Sequence, residues 1–357
     1  MHAHVNFARS YSILSSLLHA KQLNLRPKQL LMRTDATTLR SLMNDFGSRR
    51  QPFVFAVDYD MSQCLFIDNP LCSNEIRWAT ESAGNAPLPR PCDNITPVLR
   101  LKNAPTLREY AAKFETVKCG LMHGDSFLAN LTVGVEVECN RTFEQLYALC
   151  SARYKFLIPG EFVCFSPERF VRIDNNIIAT YPMKGTIDAT LPRAESQLMD
   201  SYKERCEHST IVDLLRNDLS MVAQDVHVSR YRYIDRIRTQ RGEILQTSSE
   251  IVGRLSPDWH DSLGNTLFRL LPAGSICGAP KAATVSLIAR AEAEPRGWYT
   301  GVWGYYDGRT LDTAVMIRCL AHRNGHTYFH SGGGITVNSQ PDDEYNEVLQ
   351  KIYLPIG

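Results

Sequence analysis

The sharpest chemical signal in this chain is a lysine that follows a glutamate. Lys184 sits in Tyr-Pro-Met-Lys-Gly-Thr, residues 181 to 186, sixteen residues after Glu168 of Phe-Ser-Pro-Glu-Arg-Phe. Pro182 and Gly185 hold the lysine in a weakly charged stretch, so it belongs to no solvated charge run. Only a neutral amine attacks carbon. The pairing suggests a lysine nucleophile with a carboxylic acid nearby, although for a lone lysine a salt bridge or a solvated turn is the commoner explanation.

Two acidic pairs share one spacing: Glu204 with Glu207, and Glu344 with Glu347. Three residues apart on a helix, both carboxylates of a pair lie on one face. Either pair alone reads as a solvated surface, but four facing carboxylates repel unless a cation lies between them, and hard oxygen donors select Mg²⁺. Gly332, Gly333 and Gly334 carry no side chains to keep a ligand from their N–H groups, so they could cradle a carboxylate or phosphate, or form a tight turn. Residues 273 to 281, ending in Cys277-Gly278-Ala279-Pro280-Lys281, lead into a helix with Pro280 at its first position, a natural anion site. It is not a nucleotide P-loop, because Pro280 and Lys281 replace the Gly-Lys-Ser/Thr that such a loop requires. Arg318 falls on a predicted strand with apolar neighbours on both faces, where a guanidinium needs an anion, either a structural carboxylate or a substrate one. Together these residues describe a water-poor pocket for a small polyanion such as a dicarboxylate.

The elements that must position them are legible in part. Thr106 with Glu109, and Thr142 with Gln145, are capping boxes opening helices to about Leu121 and Arg153. Strict alternation from Leu131 to Glu138 predicts a half-buried strand. Pro52 to Asp58 is the first strand signal, and Phe162 to Phe165 and Phe170 to Thr180 form strands around an Asp174-Asn175-Asn176 hairpin. A helical pattern covers Ala194 to Ala223, strands cover Val226 to Tyr233 and Glu243 to Val252, and Pro257 opens a helix to Leu271. Asp307-Gly308 and Asn324-Gly325 separate three runs of a C-terminal meander, with Arg318 on the middle one. Helices mixed with hairpins predict an α/β protein of the α+β type, with antiparallel sheets covered by helices.

Composition shows no interior linker, so one large domain is expected across residues 43 to 357. A formal charge of +1 offers no field for nucleic acid, and no apolar run is long enough to span a bilayer. Ten scattered cysteines without a Cys-x-x-Cys pair read as reduced thiols in the cytoplasm. No acid precedes Asp35, while Arg9, Lys21, Arg26, Lys28 and Arg33 accumulate, so residues 1 to 42 read as a dispensable N-terminal extension.

Seven segments in order resemble the chorismate-utilising enzymes: residues 124 to 131, Phe-Ser-Pro-Glu-Arg-Phe, Pro-Met-Lys-Gly-Thr, 207 to 218 (ending Leu-Leu-Arg-Asn-Asp), 274 to 281, Arg-Gly-Trp-Tyr-Thr-Gly and Gly-Gly-Gly-Ile. The resemblance covers about Met43 to Lys351. It implies a single large domain of two mainly antiparallel sheets packed together and wrapped by helices. It also implies that Glu207 and Glu347 bind Mg²⁺ against the ring carboxylate of chorismate, with Glu204 and Glu344 completing the acidic site. Arg318 and the amides of Gly332 to Gly334 would hold substrate carboxylates, with Tyr299, Cys277, Gln246 and Lys281 around the same pocket. Glu168 would protonate the departing C4 hydroxyl. Lys184 would attack C2, and ammonia would add at C4 and expel the lysine, giving a precursor of p-aminobenzoate and folate. Anthranilate synthases usually carry a small residue where Lys184 stands, and isochorismate and salicylate synthases place a water-activating lysine where this chain has Leu128. Amination through Lys184 is therefore the expectation, with anthranilate formation and a non-catalytic chorismate-binding subunit as alternatives. Cys277 in place of Thr, Gln246 in place of His and Leu128 in place of Gln depart from the family pattern. Ammonia would come from a separate glutamine amidotransferase subunit, since no cysteine-histidine amidotransferase segment is recognisable.

Overall fold

The computed structural model describes residues 31–356 apart from Asn94, Gln240 and Arg241, with backbone alone for Lys203, Arg238, Thr239 and Ala279. Their strands form two sheets in which every described pairing is antiparallel. The ten-stranded sheet runs Leu31–Thr34, Cys64–Asp68, Phe53–Val57, Val302–Tyr306, Leu311–Val315, Arg169–Asp174, Ile177–Thr180, Gly242–Arg254, Met183–Asp188, and Gln224–Thr239 also pairs with Gly242–Arg254. The eight-stranded sheet runs Gly278–Ala279, Leu128–Cys139, His326–Ile335, Cys319–Arg323, Phe162–Ser166, Tyr154–Ile158, Arg77–Ala79, with Leu99–Asn103 beside Leu128–Cys139.

Alternation along the strands shows how these layers stack. Phe53, Phe55 and Val57 join Leu39 and Met43 of helix Ala36–Ser48 and Leu263 and Leu267 of helix Leu263–Leu270. Val54 and Ala56 turn the other way, into a cluster with Phe156, Phe162 and Trp303 between the sheets. On the second sheet Val133, Val135 and Phe329 join helices Leu107–His123, Lys281–Glu292 and Pro341–Gln350 in a third cluster, which Leu157 and Val163 extend toward helix Phe143–Leu149. A strand has a period of two, so alternate residues feed different cores, and a strand covered on both faces reads as the unbroken apolar run seen from Pro52 to Asp58. The architecture is the expected one: a single α/β domain of two antiparallel sheets wrapped by helices.

Several boundaries differ from the sequence reading. The compact unit begins at Leu31, twelve residues before Met43: Leu31–Thr34 pairs with Cys64–Asp68, and Met43 lies inside a helix with its side chain fully buried. Residues 31 to 42 therefore belong to the fold, while the basic stretch before them lies outside the described residues. Both capping boxes form, although the second helix stops at Leu149. The long helix after Ala194 breaks at Ser201, whose hydroxyl caps a new helix, Tyr202–Ser220, by accepting from the Glu204 amide at 3.4 Å. Pro257 opens no helix; the turn Trp259–Ser262 precedes Leu263–Leu270. The C-terminal meander keeps both predicted turns, but its middle run splits. Leu311–Val315 stays in the first sheet and Cys319–Arg323 joins the second. Arg318 thus lies on the crossing between sheets rather than on a strand, in the left-handed region with φ of 55°.

Candidate active site

Two chain segments cross from one sheet to the other side by side, and the candidate site is built on that seam. One crossing, between Phe162–Ser166 and Arg169–Asp174, carries Glu168; the other carries Arg318. Backbone hydrogen bonds from the Val315 amide to the Glu168 carbonyl, 3.2 Å, and from the Phe165 amide to the Arg318 carbonyl, 3.1 Å, hold them together. Glu168 is half-buried by surface area but crowded by protein, and burial pushes its carboxyl above the ordinary carboxylate range. A hydrogen bond from the Ser275 hydroxyl to Oε1, 2.6 Å, opposes that rise, as do the nearby charges of Lys184, Arg318 and Lys351. The Nε of Arg318 is buried with no hydrogen-bond partner among the described residues, and its Nη1 donates only a long bond, 3.4 Å, to the Lys351 carbonyl. A buried donor without a partner fits an anion supplied by a ligand.

Lys184 lies on the edge strand Met183–Asp188, where the sequence suggests only a bracketed turn. Met183 pairs with Ser248 and Thr186 with Gln246, so Lys184 and Gly185 together oppose the single residue Thr247. This is a β-bulge, which re-aims the side chains of its strand. Gly185 has φ of 82°, a backbone that an L side chain adopts at a cost of about 1–2 kcal/mol, and a Cβ there would lie 2.8 Å from Glu204 Oε2. The glycine thus lets the lysine strand approach the helix that carries Glu204 and, one turn on, the half-buried Glu207.

Gly332, Gly333 and Gly334 form no turn. They end the strand His326–Ile335, paired with Thr132, Leu131 and Asn130, beyond the stretch that Cys319–Arg323 covers. The missing side chains admit close neighbours: a Cβ on Gly334 would lie 3.8 Å from Lys184 Nζ and 3.2 Å from Leu128 Cδ1, and one on Gly333 would lie 3.4 Å from Glu344 Oε2 and 3.9 Å from Glu347 Oε1. Lysine and leucine therefore meet over one glycine, and two carboxylates edge the next. Lys351, which the sequence reading passed over, belongs here. Its Nζ donates to the Gly332 carbonyl at 3.1 Å and pairs with Glu347 Oε1 at 2.5 Å. Burial lowers the Lys351 ammonium below its usual range; Glu347 opposes the shift, and Lys184 and Arg318 add to it. Four residues after Glu347, it lay within reach of the i,i+4 rule.

Two expected pocket residues, Cys277 and Lys281, are committed to structural partners. The Cys277 thiol is buried against the backbone carbonyls of Pro272, Gly274 and Gly278 and faces the core. Gln246 is half-buried in register with Thr186 and Asp235, and no described contact joins it to Lys184 or Glu168. Lys281 is consumed by structure: its Nζ meets Asp218 Oδ2 at 2.8 Å and donates to the Leu270 carbonyl at 2.6 Å. Removing one partner of a little-exposed pair leaves the other uncompensated, so Lys281→Met should cost on the order of 3 kcal/mol in denaturant unfolding while the substrate KM stays within about threefold. Tyr299 is buried with its ring stacked on His330, centroids 5.4 Å apart, and it feels the charge of Arg318.

The acidic residues bear on the expected Mg²⁺. Among the described residues no three carboxylate, imidazole or thiol groups converge as a metal cluster. Glu344, which is buried, and Glu347, which pairs with Lys351, both lie beside Gly333. Two carboxylates beside one glycine are hard oxygen donors of the kind that suits Mg²⁺.

A family model described as chorismate binding enzyme matches residues 52–356. The chain belongs to the chorismate-binding enzyme family. It is 48% identical over 316 residues to an uncharacterized PabA-like protein of Haemophilus influenzae, covering 88% of this chain and 95% of that one. It is 37% identical over 264 residues to an anthranilate synthase component 1 of Haloarcula marismortui, covering 69% and 52% of the two chains. With aminodeoxychorismate synthase component 1 of Salmonella typhimurium it shares 32% over 260 residues, covering 68% and 56%. Among solved structures, anthranilate synthase component I from Streptococcus pneumoniae superposes with a TM-score of 0.59 at 28% identity, covering 71% of this chain and 58% of that one. The menaquinone-specific isochorismate synthase of Escherichia coli shares the fold, with a TM-score of 0.67 at 18% identity over 91% and 82%. Membership in the chorismate-binding family makes the chain an enzyme acting on chorismate, a substrate whose carboxylates would suit the buried Nε of Arg318, which has no hydrogen-bond partner among the described residues.

Proposed function

We propose that the chain is component I of aminodeoxychorismate synthase, converting chorismate and ammonia to 4-amino-4-deoxychorismate in the cytoplasm. The observation that carries this reading is the meeting of Lys184 and Leu128 over Gly334, with the half-buried acid Glu168 near enough to feel the charge of Lys184. The lysine is the group there able to attack carbon, and the leucine beside it cannot deprotonate water. Lys184 Nζ bonds to C2, the ring double bonds shift, and the C4–O bond breaks as Glu168 gives its proton to the departing oxygen, releasing water. Ammonia then bonds to C4, the double bonds shift back, the C2–N bond to Lys184 breaks, and the ammonium formed at C4 loses the proton that Glu168 regains. Arg318, Lys351 and the Gly332 to Gly334 backbone hold the carboxylates of the substrate through both steps. Mg²⁺ held by Glu344 and Glu347, with Glu204 and Glu207 completing the acidic site, would supply positive charge beside the ring carboxylate. Ammonia is proposed to arrive from a separate glutamine amidotransferase subunit.

A second reading, amination at C2 to give anthranilate, draws on the 37% identity to the Haloarcula enzyme. Purified chain given chorismate, an ammonium salt and Mg²⁺ should yield 4-amino-4-deoxychorismate, identified by chromatography and mass spectrometry after conversion to p-aminobenzoate by a lyase. Chelation should stop turnover and added Mg²⁺ restore it. Release of anthranilate would install the second reading, and chorismate binding without any product, even with an amidotransferase present, would make the chain a binding subunit.

A further inference from the structure

We propose that Thr247 is the positioning residue for Lys184, its hydroxyl holding the bulge that aims the amine at Gly334; this rests on the reading of Lys184 as the nucleophile. Thr247 is fully buried and is the one residue opposed by two, Lys184 and Gly185. Its hydroxyl donates to the carbonyl of Lys184 itself, and its Oγ1 would lie 3.2 Å from a Cβ on Gly185. A bulge leaves one residue of the longer strand outside the ladder, so the carbonyl of that residue needs a partner from elsewhere. Thr247 supplies it. The two hydroxyls that follow are committed to other elements: Ser248 donates to Asp235 Oδ2 at 2.6 Å, and Ser249 pairs with His208 Nε2 at 2.6 Å and accepts from the Arg232 amide at 2.9 Å. Neither can replace the Thr247 bond. Three consecutive hydroxyls thus tie strand Gly242–Arg254 to the lysine strand, to strand Gln224–Thr239 and to helix Tyr202–Ser220. Without the first, the lysine strand can relax toward the regular register, and a slip of one residue turns its side chains to the other face of the sheet.

Thr247→Val keeps the shape and removes the hydroxyl, and Thr247→Ser keeps the hydroxyl. Two readouts apply: amination of chorismate with ammonium salts, and the protection that chorismate gives Lys184 against acetic anhydride, measured by peptide mass spectrometry. Thr247→Val should lose kcat by about 100-fold with KM within about threefold, since a displacement near 1 Å costs that much, while Thr247→Ser stays within about tenfold of wild type. Chorismate should shield Lys184 in the wild type and in Thr247→Ser but not in Thr247→Val. Should Thr247→Val fail to fold, Thr247→Ala removes the hydroxyl without the branched side chain. Shielding of Lys184 as strong in the hydroxyl-free variant as in the wild type overturns the proposal whatever the turnover, and so does its loss in Thr247→Ser. Lys184→Ala run in parallel separates the two claims: wild-type amination by that variant removes the nucleophile reading, while the shielding pattern still decides the role of Thr247.

Discussion

Replacing Lys184 by alanine should cut amination of chorismate by about 10³-fold or more while the KM changes little. The groups proposed to hold the substrate are elsewhere: Arg318, whose buried Nε has no hydrogen-bond partner among the described residues, Lys351 on the Gly332 carbonyl, and the Gly332 to Gly334 backbone. What the variant loses is the one amine next to Gly334. No neighbour can take over the attack, because Lys351 Nζ is already held by Glu347 and a backbone carbonyl, and Leu128 has no nucleophilic atom. Lys184→Arg tests the competing idea that the residue serves only as a positive charge near the substrate carboxylates. A guanidinium keeps the charge but stays protonated and cannot attack, so this variant should be as inactive as the alanine. Substantial recovery by arginine would demote Lys184 to an electrostatic role. Product analysis with free ammonia adds a further discrimination: an alanine variant that makes anthranilate instead would mean that the lysine directs the amine to C4 rather than C2.

The parts of this site legible in the sequence were those written in local chemistry. Acidic pairs at a spacing of three landed on helices because the helix repeat is local, and Thr106 and Thr142 announced their helices through their own capping contacts. The strand Phe53–Val57 was visible because both of its faces are buried. What stayed hidden depends on partners far away in the chain. The edge strand that carries Lys184 holds Lys184, Gly185 and Asp188, residues that read as a turn and that sheet edges tolerate; only its pairing with Gly242–Arg254 makes it a strand. Arg318 looked like a mid-strand residue because apolar neighbours run through Met316 and Ile317, and nothing local marks the point where the chain leaves one sheet for the other. Lys281 and Cys277 drew attention as motif residues. Their true partners, Asp218 and three backbone carbonyls, are set by how the segment from 270 to 281 folds back on helix Tyr202–Ser220.

Glu168→Gln should lower turnover by about 10²- to 10⁴-fold, the usual worth of a positioned general acid, and should change the pH profile in a definite direction. Burial, the largest influence on Glu168, raises its carboxyl above the ordinary value of 4.5, so the acid stays protonated to higher pH than an exposed glutamate. The kcat/KM of the wild type should therefore fall as pH rises through that raised value, and the residual activity of the glutamine variant should lack this limb. Ser275 bonds to the carboxyl in the sense that favours its ionised form, so Ser275→Ala should move the limb to higher pH. Stability must move the other way. Between the ordinary value and the raised one, the folded chain binds a proton that the unfolded chain releases, so raising the pH through that window removes stability. Glutamine holds no such proton. Denaturant midpoints of wild type and Glu168→Gln, compared as pH rises from the ordinary carboxylate value of 4.5, should diverge in favour of the inactive variant. If the two midpoints run parallel across that range, Glu168 has no raised ionisation and cannot be the acid; if they diverge, the same burial that destabilises the ionised carboxylate keeps the proton available for the leaving hydroxyl.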